Sequence, residues 1–519
     1  MLKNDASSHS CLFAEEIYMS LLGIDVGTSG CKAAVFSEDG QALASAYEEY
    51  DYQHPQPGWA ELDSRQVWAS VQRTIAEVVQ QTQSDPIKAL SVSSLGEAVV
   101  PVTRQREILG PSLLNFDARG VEFLPELHER IEVERWYRIN GNTLGNHYSL
   151  PKLKWLQQHQ PELYQQTDHF LHWSGFVSFM LGAEATVDYS LANRTLLFDL
   201  ERCDWSDEIL DRVELDRSKL PRTVLAGSVI GSVSRHSAAA LGLPMGTPII
   251  SGGHDQCCTA VGCGVIEPGQ AVYGMGTYLC MTPVFKRRPA PAAMLAQGLN
   301  TEHHTVPGQF VSFIYNQGGV LVKWFRDTFA MLERKQALET GADIYTALLA
   351  EIPTGPSRVM VLPHFTTTGP PHFIDDSCGV IAGLKLETTR GEILKGLIEA
   401  TTFYLRECLE ALPEEIVITG FHAAGGGSKS AAWLQICADI LGWPVVRPVI
   451  SEAGVLGAAI IAAKGSGVFP SLAAGVATMV KHDRTFYPDP ARQQIYHDRF
   501  AMYRRLGPLL SKYLRELSA

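Results

Sequence analysis

No stretch of this 519-residue chain approaches the roughly 18 consecutive apolar residues that a membrane-spanning helix needs. The longest candidate, GVLGAAIIAA at 454–463, is closed by Lys464 and Gly465, so no membrane span is expected. Basic runs are missing as well. Lys and Arg are scattered and the formal net charge is -13, which repels a phosphate backbone and removes nucleic acid from the expected partners. The opening segment MLKNDASSHSCLFAEEIYMS lacks the basic start and apolar core of a secretory signal. It reads as an extension over residues 1–18 ahead of the first strand, and the expected location is the cytoplasm. The ten cysteines contain no CxxC pair and no paired spacing of a disulfide framework. Cys257, Cys258 and Cys263 therefore read as buried free thiols in preference to metal ligands.

What is present is an ordinary folded composition, 45% apolar and 19% charged, in a chain long enough for two large domains. The first region alternates apolar runs (LLGID, KAAVF, ALSVSS) with SRQVWASVQRTIAEVVQQ, whose apolar residues recur every three or four: an α/β pattern. Residues 115–225 read as mostly helical, an insertion closing one side of a cleft. A second α/β region begins near Val265, and Tyr496, Phe500 and Tyr503 mark an amphipathic docking helix at the end. The expected domains are 19–264 and 265–519.

Three segments carry the chemistry. GIDVGTSGCK, residues 23–32, delivers Asp25 to a turn where backbone donors with Thr28, Ser29 and Lys32 can hold phosphate oxygens; an ordinary hairpin has the same composition. GMGTY repeats that grammar about 250 residues later with Gly276 and Thr277, so two related halves are expected to face each other. In HAAGGGSKS, Gly425, Gly426 and Gly427 lead through Ser430 into a helix, a pattern that serves close ligand approach or a plain structural turn. Between them, PIISGGHDQ presents Asp255 and Gln256 after a strand. Asp255 suits either a substrate contact or a helix cap. LPHFTTTGPPHFIDD, with His364, His372, Asp375 and Asp376, reads as a loop near a ligand cleft.

These segments, in this order, resemble the FGGY carbohydrate kinases over nearly the whole chain from Leu21 to Ala463, nearest to xylulokinase-like members. DVGTSGCK and GMGTY match the two phosphate motifs, GGGSKS with EAGVLGAA the adenosine motif, and SLPKLKWLQQH the end of a family signature in which His147 departs from the usual residues. GVIAGLKLETTRGEILKGLIE matches a second signature more loosely, departing at Gly396 and Leu397. The resemblance implies a two-domain actin-like ATPase (ribonuclease H-like) fold with mixed sheets and a catalytic cleft between the domains. It implies ATP and Mg²⁺ as cofactors, a small-molecule sugar or polyol as acceptor, and domain closure that excludes water; a homodimer is the assembly expected.

Under it, Asp255 is the general base, and Asp25 orients magnesium and the phosphates. Thr28, Ser29, Lys32, Gly276 and Thr277 resemble the phosphate-contacting set, and Gly425, Gly426, Gly427 and Ser430 the adenosine set. Gly319 and Lys323 resemble a further nucleotide segment, although both lysines also suit solvated positions. Where glycerol kinases carry Arg-Glu and xylulokinases Met-His, this chain has Gly96 and Glu97. Loss of the arginine argues against glycerol, and Glu97 suits neutral hydroxyls and repels an acidic sugar such as gluconate. A ketopentose such as xylulose is the leading acceptor. Asp117, His147 and Gln256 are further sugar-pocket candidates; an internal pair with Arg119 accounts for Asp117 equally well, and a surface role for His147.

Overall fold

The computed structural model describes residues 20–366, 368–369, 378–450 and 452–518. The extension 1–18 and the loop residues His372, Asp375 and Asp376 lie outside the described residues.

Two sheets organise the chain. The first contains β1 (Ser20–Val26), β2 (Gly30–Phe36), β3 (Ala42–Glu49), β4 (Ile87–Ser94), β5 (Val229–Ser232) and β6 (Pro248–His254), in the order β5-β6-β4-β1-β2-β3. Leu21, Leu22, Ile24 and Val26 are all fully buried, so β1 is covered on both faces, which is why its sequence holds no charge until Asp25 near its end. It runs parallel to β4 and antiparallel to β2. Helix α1 (Ser64–Gln81) covers this sheet, capped by the Asp63 carboxylate, which accepts the Arg65 and Gln66 N–H groups. Its buried stripe of Val67, Val71, Ile75 and Val78 is the helical period expected from the sequence. The segment expected as a helical insertion is mostly short helices around a core of its own, including Trp136, Leu150, Leu153, Phe198 and Trp205.

After helix α2 (Asp255–Gly262) the second sheet begins. It is built from β7 (Gln270–Met275), β8 (Tyr278–Phe285), β9 (Glu302–His303), β10 (Phe310–Val311), β11 (Ile314–Gln317), β12 (Gly420–Ala424), β13 (Val445–Pro448) and β14 (His482–Phe486). The order is β9-β10-β8-β7-β12-β13-β14, with β11 paired to β8. Around it lie α3 (Gly319–Phe329), α4 (Arg390–Glu410) and α5 (Ala431–Leu441). Both sheets share one plan: a central strand parallel to the next strand in its sheet, antiparallel to the strand that follows it in the chain, with an antiparallel edge beyond. The expected pairing of halves is thus present as topology.

Two further helices, α6 (Ala453–Gly465) and α7 (Leu472–Met479), come from the second half yet pack on the first sheet against Leu21, Phe36 and Ile250. That burial explains the apolar run of α6. Helices α2 and α6 cross almost in contact: a Cβ on Gly457 would lie 1.8 Å from the Cys258 carbonyl oxygen, and one on Gly262 1.9 Å from that of Ala453. This crossing brings the start of α2, the start of α6 and the end of β1 to one place. The last helix, α8 (Pro490–Ser518), buries Tyr496, Phe500 and Tyr503 against Phe403 of α4.

Candidate active site

At the end of β1, Asp25 stands opposite Lys32 on β2 and Ser93 on β4, and accepts a 2.6 Å hydrogen bond from the Ser93 hydroxyl. The turn after it is held by Gly27 N–H to the Gly30 carbonyl at 2.9 Å and by the Tyr50 hydroxyl on the Gly27 carbonyl at 2.7 Å, leaving Ser29 exposed and Thr28 half-buried. Gly454, at the start of α6, lies beside the Asp25 carboxylate. Lys32 Nζ reaches Glu452 just before α6, at 2.6 Å. Burial raises the Asp25 carboxyl; the Ser93 bond opposes this, Glu452 adds to it, and Lys32 offsets it. Two carboxylates, Asp25 and Glu452, that share one ammonium offer hard oxygen donors of the kind a divalent cation takes. Glu452 is the member that sequence reading missed.

The second turn, Gly276-Thr277, is docked on the start of α3: Gly319 N–H donates to the Gly276 carbonyl at 2.9 Å and Val320 N–H to that of Thr277 at 3.0 Å. Gly425, at φ +83°, and Gly427 press against Met275, and Ser430 caps α5 by accepting the Trp433 N–H at 3.2 Å. A cavity of ≈ 730 Å³ opens here, lined by Gly276, Thr277, Gly319, Lys323, Gly426, Gly427 and Ser430. That volume suits a nucleotide-sized ligand. Asp343, Tyr345, Thr346 and Trp433 also line it. None of the four was singled out in the sequence; Asp343 also caps the helix Ile344–Ala350, a role that accounts for it without a ligand.

On the facing side, Asp255 occupies the first turn of α2 while the cap position falls to His254, which makes no side-chain cap bond. About a third of the Asp255 side chain stays open (32%). Burial, then the negative charges of Asp25 and Glu97, push its carboxyl up to about 7. Gln256, half-buried, follows on the same turn. His254 Nε2 lies 3.3 Å from Asp255 Oδ1. Burial first and Arg194 second push His254 down to about 3, so the imidazole is neutral at pH 7 and this contact is no ion pair.

Glu97 is buried next to His254, and its Oε1 accepts from Arg194 through Nε at 2.8 Å and through Nη2. Burial opposes ionisation of Glu97, but the Arg194 guanidinium beside it holds its carboxyl below the usual range. Here one expectation is corrected. Position 96 has lost its arginine, yet a guanidinium still meets Glu97, because Arg194 arrives from the end of the short helix Tyr189–Asn193; the argument against glycerol from position 96 falls. His147 is half-buried with its ring 4.0 Å from that of Tyr148, and burial, then Arg194, pushes it down to about 4.

Asp117 is placed differently. It is fully buried, and its oxygens accept from Ala60 N–H (2.6 Å), Arg119 N–H (2.7 Å) and the Arg119 guanidinium (2.6 Å), which also pairs with Glu61. Lys152 Nζ clamps the same loop through the carbonyls of Asp117, Arg119 and Asn146. The internal pair therefore describes Asp117, and a sugar contact would require it to release these donors. Cys257, Cys258 and Cys263 are fully buried free thiols, and burial raises all three. Among the described residues no group of three or more His, Cys, Asp or Glu side chains is arranged to hold a metal ion, and no helix is long and apolar enough to cross a membrane.

Comparison with known proteins identifies the family. Residues 20–262 match the N-terminal domain of the FGGY family of carbohydrate kinases, and residues 272–466 its C-terminal domain. Autoinducer-2 kinase of Escherichia coli (strain K12) is 30% identical over 92% of both chains, as is that of Salmonella paratyphi A. Among solved structures, xylulose kinase from Rhodospirillum rubrum superposes with a TM-score of 0.84 at 24% identity, covering 95% of this chain and 99% of that one. Gluconate kinase from Lactobacillus acidophilus gives 0.83 at 22%, covering 95% and 98%. Plasmodium falciparum glycerol kinase with ADP gives 0.83 at 20%, covering 94% and 98%. At these identities the structures speak for the fold.

Proposed function

This chain belongs to the FGGY family of carbohydrate kinases, and on that premise we propose that it transfers the γ-phosphate of ATP to a hydroxyl of a neutral sugar or polyol. As a family member it is a phosphotransferase with an alcohol group as acceptor. In the proposal, Asp255 takes the proton from the acceptor hydroxyl, because a hydroxyl is a poor nucleophile at neutral pH and a carboxylate within reach assists its attack. Thr28, Ser29, Lys32, Gly276 and Thr277 orient the phosphates. Gly319, Lys323, Gly425, Gly426, Gly427 and Ser430 hold the nucleoside side. Asp25 and Glu452 would hold magnesium, which when bound neutralises charge on the phosphoryl group.

The single observation that carries this reading is a carboxyl one-third open at the start of α2, pushed up to about 7 by burial and then by the charges of Asp25 and Glu97. A base with that midpoint is matched to neutral pH. The acceptor is neutral because two carboxylates, Glu97 and Glu302, already share a single buried guanidinium, and the charge of Glu97 also bears on Asp255, so an acidic sugar would add a further carboxylate. A ketopentose such as xylulose leads. The relatives named autoinducer-2 kinases favour a second reading, in which autoinducer-2 is the acceptor.

A substrate panel with coupled ADP detection tests this, spanning xylulose, other neutral sugars and polyols, glycerol, gluconate and autoinducer-2, repeated with Glu97→Gln. The expected result is acceptor-dependent ADP release with a neutral compound, weakened by the substitution. Release stimulated equally by gluconate would overturn the acceptor class. No stimulation by any acceptor would favour a nucleotide-gated regulatory protein.

A further inference from the structure

Buried arginines are costly unless their donors are matched, and Arg194 is matched from two directions. Its Nε and Nη2 donate to Oε1 of Glu97, from the first half of the chain, while its Nη1 donates to Oε1 of Glu302 on β9, in the second half, at 2.5 Å. The guanidinium carbon sits 5.0 Å from the Tyr148 ring centroid and 5.6 Å from that of Phe313. Only 12% of its side chain is exposed.

The space it occupies is bordered by a glycine. A Cβ on Gly96 would lie 3.1 Å from His254 Nε2, tight enough to press on that ring, and would touch Arg194 Nε at 3.4 Å, so a larger side chain there would crowd both. The stretch carrying Glu302 rests firmly on the first half: Thr301 N–H donates to the Gly141 carbonyl at 2.8 Å, and His303 N–H to Asn193 Oδ1 at 3.0 Å. Arg194 is therefore held from both halves at the floor of the acceptor side.

Hydrogen-bond inventory shows what remains. A guanidinium has about five N–H donors, and the three bonds to Glu97 and Glu302 leave about two of them. Among the described residues no protein donor takes Oε2 of Glu97. An unused acceptor beside unused donors reads two neighbouring oxygens of one ligand: a hydroxyl donating to Glu97, and a hydroxyl or carbonyl oxygen accepting from Arg194. This is a neutral adjacent pair, as in a vicinal diol or an α-hydroxy ketone.

We propose that Arg194, placed by Gly96 and Glu302, is a specificity-determining residue that with Glu97 selects acceptors carrying two adjacent neutral oxygens. The proposal rests on the kinase reading above and adds the feature of the acceptor that is recognised. Lysine at this position keeps the charge but cannot fork between two carboxylates.

The test measures acceptor KM and ATP KM separately for the full chain, its Arg194→Lys variant and its Glu302→Gln variant, using the best acceptor of the panel and an analogue lacking one of the two adjacent oxygens. Arg194→Lys is expected to raise acceptor KM roughly 10- to 100-fold with ATP KM within two-fold, and Glu302→Gln by a few-fold in the same direction. The deoxy analogue should be discriminated strongly by the unsubstituted protein and weakly by Arg194→Lys, as expected when both changes remove one interaction. Should Arg194→Lys fail to fold, the Glu302→Gln result and the analogue discrimination of the unsubstituted protein decide alone. Unchanged acceptor KM in an active Glu302→Gln protein, or equal use of the deoxy analogue by the unsubstituted one, would overturn this proposal and leave the kinase reading standing. An unsubstituted protein without acceptor-dependent ADP release would overturn both.

Discussion

Asp255 predicts its own pH profile. With a carboxyl midpoint of about 7, only ~10% of the enzyme carries the ionised base at pH 6, against ~90% at pH 8. Because burial and neighbouring negative charge raise this group, the active carboxylate form is lost as pH falls through 7, and acceptor kcat/KM should fall with it, by about ten-fold from pH 8 to pH 6. The neighbours refine the expectation. Glu97 is one of the charges that raise Asp255, so Glu97→Gln should move the midpoint toward lower pH while raising acceptor KM. Asp255→Asn removes the base altogether and should cost about 10²–10⁴-fold in kcat, roughly 3–5.5 kcal/mol of transition-state stabilisation, with the acid limb gone. Coupled ADP release at constant ionic strength between pH 5.5 and 8.5 measures all three. A flat profile between pH 6 and 8, or an Asp255→Asn protein keeping more than a tenth of the original rate, would refute the assignment of the base.

The close crossing of α2 and α6 makes a second expectation: Gly457→Ala, whose Cβ would meet the Cys258 carbonyl oxygen at 1.8 Å, should cost at least about 1–3 kcal/mol in thermal or urea unfolding. Gly426→Ala is the contrast, because nothing lies within 4 Å of its Cβ position and stability should hardly change. Asp117→Asn should destabilise by about 3–5 kcal/mol, since it weakens the partner of a buried arginine. A shifted acceptor KM with unchanged urea midpoint would instead place Asp117 at the sugar.

Much of the fold was legible because its signals are local. The apolar run of β1, the 3.6-residue period of α1 and the glycine-hydroxyl turns after Asp25 and Met275 each fall within a few neighbours in sequence, and each is found where it was expected. The likeness of the halves was also readable, although only the strand orders show how complete it is. Residues that meet across long separations were not legible. Arg194 lies 97 positions from Glu97 and 108 from Glu302, and no spacing rule joins them. Reading position 96 by itself therefore mistook a relocated guanidinium for a lost one. Glu452, read only as the start of the EAGVLGAA adenosine motif, was not placed beside Lys32 for the same reason: the two meet only because α6 returns to the first sheet. Asp343 was hidden by a second job, since a helix cap and a cavity wall look alike in sequence.

The central claim, transfer of a phosphoryl group from ATP to a neutral hydroxyl in this cleft, is tested most directly by phosphorus NMR of a reaction with the best acceptor of the panel. The account predicts ADP and a phosphate monoester of that acceptor appearing one for one, with neither formed by Asp255→Asn. ADP appearing with inorganic phosphate and no phosphate monoester would contradict it.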